Sequence, residues 1–149
     1  MLYLKVLGCN PAIPIFFIFV FLNIKLNMEK QLIEDINNNK YRLVKIGNQI
    51  WMADNLNVSS YQNGDSIFQS NNSEEFFKAA EESKGTWCYY GFDSKNEQKH
   101  GKLYNWYAVN DPRGLAPVGF CIPTVEQWDK LAEHLGGGLD DSMIGDKLK

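Results

Sequence analysis

The stretch GFCIPTVEQWDKLAEHLGGG, Gly119 to Gly138, constrains the fold more than any other part of the chain. Thr124 is a good helix N-cap, and Gln127 three residues later completes a Thr-x-x-Gln capping box, which satisfies orphan amides of a first turn. Pro123 keeps the incoming chain extended. Trp128, Leu131, Ala132 and Leu135 recur at i, i+3, i+4 and i+7 and make one apolar face. Gly136 to Gly138 then stops the helix. The spacing predicts a helix over Val125–Leu135 whose apolar face needs cover from elsewhere in the chain.

Cys121 stands just ahead of that helix, where partial positive charge lowers a thiolate's pKa. A nucleophile also needs a base within hydrogen-bond reach, normally a histidine. His100 lies in a polar run and His134 near the far end of the helix. Cys121 therefore reads as a small buried residue at a corner of the fold, not as a nucleophile.

Upstream, YRLVKI alternates, GN is a turn signal and QIWMA resumes the strand, so a hairpin is expected from about Lys40. NVSSYQNGDSI is turn-rich around Asn63-Gly64. Asn72 can cap a helix with Glu75 as its partner, Phe76, Ala79 and Ala80 on one face, and Gly85 at its end. TWCYYGF reads as a buried strand and DSKNEQKHG as a polar loop. KLYNWYAV, Lys102 to Val109, fits strand and helix equally, and NDPRG is a turn with Pro112 second and Gly114 fourth.

At 149 residues the chain has room for one domain with a modest core. Aromatic residues make up 13% of it, so Trp, Tyr and Phe are expected to build that core. A formal charge of −3 and the lack of any Lys/Arg run argue against a nucleic-acid partner. Three cysteines, Cys9, Cys88 and Cys121, allow at most one bridge, and Cys88 with Cys121 is the pair outside the hydrophobic N-terminus. They show no zinc-type spacing, and no cofactor is expected.

Residues 1–27 differ from the rest. MLYLK offers one basic residue, and PAIPIFFIFVFL (Pro11 to Leu22) is almost wholly apolar, the order found in a signal peptide. The run falls short of the ~20 residues of a spanning helix. No small-residue cleavage site follows Leu22, and the lipobox-like VLGC (Val6 to Cys9) precedes the apolar run, which argues against lipidation. The expectation is an exported or membrane-associated protein with a signal-like segment at 1–27 and a domain at 28–149. The alternative is a natural start at Met28.

The blocks KIGNQIWMADNLNV, GTWCYYGFD, GKLYNWYAVNDPRGLAPVGF and PTVEQWDKLAEHLGG, in this order, resemble the Fibrobacter succinogenes major paralogous domain, a module of bacterial, often lipid-anchored surface proteins. The resemblance runs from about Tyr41 to the C-terminus. IPT…EQW also resembles the turn-to-helix of formylglycine-generating enzymes and C-type-lectin-like folds. The resemblance implies an α+β, C-type-lectin-like fold of short strands, two helices and many loops. Phe120 and Cys121 stand where the family pattern has Trp and His, and the family usually continues into glycine-rich and Trp/Ser-rich segments beyond the point where this chain stops. An apolar patch is therefore expected at the helix over Val125–Leu135.

Other candidate groups have plainer readings. Asp140, Asp141 and Asp146, or the loop Asp93 to Glu97, offer oxygens of the kind calcium takes, but neither matches the alternating pattern of a calcium loop, so solvated carboxylates are favoured. Trp51, Trp87 and Trp128 fit core positions, whereas Trp106 beside Tyr107 is left open to a surface role such as carbohydrate stacking. No catalytic, cofactor-binding or metal-ligating residue is assigned. The expected function is a non-catalytic extracytoplasmic binding or structural module, with a cell-surface protein or carbohydrate as the partner class. The alternatives are an enzyme of the formylglycine-generating type, against which the absence of its C-terminal cysteine pair speaks, or a degenerate fragment.

Overall fold

The computed structural model describes residues 2–3, 5–8 and 32–137. In chain order its elements are β1 (Leu2–Tyr3), β2 (Leu7–Gly8), β3 (Leu32–Glu34), β4 (Lys40–Ile46), β5 (Gln49–Met52), β6 (Phe68–Gln69), α1 (Ser73–Glu81), β7 (Thr86–Tyr89), α2 (Glu97–His100), β8 (Lys102–Tyr104), α3 (Trp106–Val109), β9 (Phe120–Cys121) and α4 (Val125–His134). One sheet has the order β3-β4-β5-β2-β9 and is antiparallel throughout. The other, β1-β8-β7-β6, is antiparallel except for the parallel pair β6–β7. The architecture is mixed α+β.

Strand β2 sits inside the first sheet. Leu7 lies opposite both Trp51 of β5 and Cys121 of β9, and the Val6 carbonyl accepts from the Met52 amide at 2.9 Å. Successive side chains of a strand point to opposite faces. Accordingly Val6 (0% exposed) joins Tyr41, Met52, Leu56, Trp87 and Tyr104 in the main core, while Leu7 (3%) meets Trp51 and Leu131 beneath α4. The Trp51 and Trp128 rings lie 4.8 Å apart.

The α4 face is therefore covered, and the exposed patch expected there is not found: Leu131 and Ala132 are each 2% exposed. Residues 2–3 and 5–8 belong to the stretch whose composition reads as signal-like, yet they complete the two sheets. The rest of that stretch, with Cys9 and the apolar run, lies outside the described residues, as do Asp140, Asp141 and Asp146.

The hairpin β4–β5 forms as the sequence implies, with Gly47 at φ +58° in its turn. The His134 ring approaches that glycine so closely that a Cβ would lie 2.9 Å from Nδ1. Helix α4 spans Val125–His134, and the Thr124 amide donates to Gln127 Oε1 at 2.8 Å in its capping box. Helix α1 is capped by Asn72, whose Oδ1 accepts from the Glu75 amide at 2.9 Å, but it ends at Glu81, with Ser83 rather than Gly85 in the left-handed region. Gly85 serves close approach instead: a Cβ there would meet the Tyr61 hydroxyl at 2.1 Å.

Two further helices are single turns. DSKNEQKHG is not a simple loop, because Asp93 accepts from the Lys95 amide and caps a 3-10 turn that runs into α2. KLYNWYAV resolves into both of its readings, β8 before Asn105 and α3 after it. Asn105 makes the break: its Oδ1 accepts from the amides of Thr86 (3.0 Å) and Ala108 (2.9 Å), and its Nδ2 donates to the Lys84 carbonyl (2.7 Å). One side chain thus joins three segments.

Candidate functional site

The Asn105 junction fixes the base of α3, and the first residue on that base is Trp106, 66% exposed. Tyr107 stands edge-on to it, ring centroids 5.3 Å apart at 85°. By contrast Trp51 and Trp87 are 3% and 5% exposed, in the core positions expected of them, and Trp128 is half-buried against Trp51. The turn beneath the indole is held by the Asn105 bonds, and the indole itself offers a solvated apolar face.

The chain leaving α3 is also tied down by side-chain contacts. Arg113 contacts Asp111 through Nε and Nη2 (2.9 and 2.8 Å) and Asp65 through Nη1 (2.9 Å), and its guanidinium lies 4.0 Å from the centroid of the Tyr61 ring. Hydrogen bonds from Arg113 hold the Asp111 carboxyl down at about 2. A depressed carboxylate stabilises the fold above its unfolded pKa of roughly 4 and stops doing so as pH falls through the folded value. Stability is therefore expected to decline between about pH 4 and pH 2. Arg113→Met should flatten that part of a urea-midpoint titration, and an unchanged acid limb would contradict the pairing.

A second polar region is a cleft of about 510 Å³ lined by Lys5, Asn39, Arg42, Asp54, Asn57 and Glu97, among others. Its rim is paired: Arg42 Nη2 reaches Asp54 at 2.6 Å, and Lys5 Nζ donates to the Ala53 carbonyl. Behind it Tyr41, 2% exposed, donates from its hydroxyl to Asp35 and accepts from the Asn57 amide at 3.0 Å. Burial, then the Asp35 bond, pushes the Tyr41 phenol well above its ordinary range, so it stays a donor. Lys102, 7% exposed at its side chain, reaches the Asn57 carbonyl at 2.7 Å and Glu97 at 3.4 Å. Sequence reading missed this cluster. The available signal was Lys102 sharing a strand face with Tyr104, two positions on, in a buried run.

Cys121 is neither a free thiol nor fully buried: it is half-buried and disulfide-bonded. Cys88 is not its partner. Cys88 is a free thiol at 0% exposure, and burial pushes its pKa up. In the loop weighed for calcium, Asp93 is engaged as a cap and Glu97 with Asn57 and Lys102.

Residues 44–147 match the Fibrobacter succinogenes major domain. The chain belongs to that family. Neither a curated protein nor a solved structure matches it. In this Fibrobacter succinogenes major domain the matched span opens within β4 and takes in the Trp106 turn, the Lys102 cluster and α4. No helix among the described residues is long and apolar enough to cross a membrane.

Proposed function

We propose that the chain is a non-catalytic, extracytoplasmic binding module of a bacterial surface protein, C-type-lectin-like in arrangement, in which Trp106 and Tyr107 take the apolar face of a sugar ring. The observation that carries the reading is the anchored, 66% exposed indole of Trp106. A pyranose presents axial C–H groups that pack on an aromatic face, while its hydroxyls stay hydrated. The disulfide at Cys121 supports export, since such bonds persist in oxidising compartments. The engaged Cys121 and the inaccessible Cys88 favour binding over thiol chemistry of the formylglycine-generating kind.

Affinity electrophoresis against a panel of bacterial and plant polysaccharides tests this. Trp106→Ala should weaken retardation tenfold or more, the equivalent of about 1.4 kcal/mol, while its unfolding free energy stays within roughly 0.5 kcal/mol of wild type, as for other surface changes. Undiminished binding by Trp106→Ala would remove the site from the reading, and no retardation by any polysaccharide would sink the sugar class. Recovery of the native protein from the cytoplasm with Cys121 reduced would overturn the location.

A further inference from the structure

Lys102, Asn57 and Glu97 meet behind the cleft in a way that neither sugar binding nor simple charge pairing accounts for. The Lys102 amine is withdrawn from water and stands 4.7 Å from the centroid of the Trp87 ring. One oxygen of Glu97, Oε1, accepts from Lys102 Nζ at 3.4 Å and from the side-chain nitrogen of Asn57 at 3.1 Å. Asn57 Oδ1 is buried and has no hydrogen-bond partner among the described residues. An amine, a carboxamide and a carboxylate touching both nitrogens are the three groups that intramolecular amide exchange requires.

We propose that Lys102 and Asn57 become joined by an isopeptide bond, with Glu97 carrying the proton between the two nitrogens. Lys102 passes a proton to Glu97 across their contact, which leaves a neutral amine beside a neutral acid. The amine lone pair attacks Asn57 Cγ, an N–C bond forms, and the tetrahedral centre collapses with cleavage of the Cγ–Nδ2 bond. Glu97 first gives the proton it holds to the departing nitrogen, and the carboxylate so formed takes up the proton lost by the attacking nitrogen. The products are one secondary amide and one ammonia; nothing is oxidised or reduced.

The amine at present donates to the backbone carbonyl of Asn57 at 2.7 Å, so it is already held against the residue whose side chain it would attack. The charged groups facing Lys102 are Glu97 and Asp35, and both favour its protonation, but burial outweighs them and lowers its pKa. Burial acts to raise Glu97, yet bonds from Asn57, Lys102 and Tyr89 hold it below its ordinary value. Its oxygen therefore serves first as the base and then, once protonated, as the acid. The bond would link β8 to the segment after β5, joining the two sheets covalently.

Intact-mass spectrometry of the folded, then reduced and denatured, full chain reads the outcome directly. The wild type should be lighter than its sequence by one ammonia and should yield a branched peptide joining positions 57 and 102. Glu97→Gln should keep the unlinked mass while remaining folded by circular dichroism. Asn57→Asp should lose water instead and reach the same linked mass. An unlinked wild type after prolonged incubation at about pH 8 would overturn the proposal. So would an ammonia loss that maps to a succinimide at Asn57 without the branched peptide, or linkage that survives Glu97→Gln.

Discussion

A chain that begins at Met28 should show no cooperative unfolding transition. Such a chain lacks β2, which lies between β5 and β9 and places Val6 and Leu7 on opposite faces of the sheet. Losing a buried Val or Leu forfeits roughly 1.5–3 kcal/mol of burial, and truncating such a side chain in place costs about 2–5 kcal/mol. Trp51, Met52 and Leu131, at 1–3% exposure, would also be uncovered. The sum is comparable with the whole ~5–15 kcal/mol of an ordinary domain. Calorimetry of residues 1–149 and 28–149 side by side tests it: a sharp transition for the shorter chain within a few degrees of the longer would show that β2 is dispensable.

Asp35→Ala should cost about 3–5 kcal/mol, since it leaves several donors without an acceptor at roughly 1–3 kcal/mol for each one that stays buried. The Asp35 carboxylate, in a residue 8% exposed, accepts from the amides of Asn37 (2.8 Å) and Asn39 (3.0 Å), from Asn39 Nδ2 (2.8 Å) and from the Tyr41 hydroxyl. Tyr41 in turn receives the Asn57 amide, so the network binds the β3–β4 turn to the segment after β5. An alanine leaves these donors desolvated with no acceptor. Asp35→Asn keeps an acceptor oxygen and should lose about half as much. Urea unfolding reads both from the midpoint at constant slope; a loss under ~1 kcal/mol for Asp35→Ala would show that other groups satisfy the donors.

Local signals in the sequence were legible where one short segment decides its own structure. The Thr124 capping box, the Asn72 cap and the Gly47 turn are such cases, because the partners lie within a few residues of one another. KLYNWYAV resisted assignment because Asn105 ends a strand and starts a helical turn by binding Thr86 and Lys84, about twenty positions upstream. The place of Leu7 was hidden for a different reason. Composition describes the N-terminal residues by their neighbours in sequence, and the apolar run beyond them sets that average, whereas Val6 and Leu7 are placed by strands at β5 and β9. Of the candidate sites, Trp106 was separable from the other tryptophans by pattern; the Lys102 cluster was not, since Asn57, Glu97 and Lys102 come together only when the sheets do.

The position of β2 also sets the order in which the molecule can be made. Its residues are made before those of either neighbouring strand, but Gly8 finds its partner in Phe120, more than a hundred positions later in the chain. Until then β2 has only the hairpin strand β5 beside it and one edge open. Contacts of such separation close slowly, since the intervening chain must be ordered before they form. A nascent chain of this kind waits with an unpaired strand edge and an uncovered tryptophan, the condition in which chaperones engage and neighbouring copies aggregate.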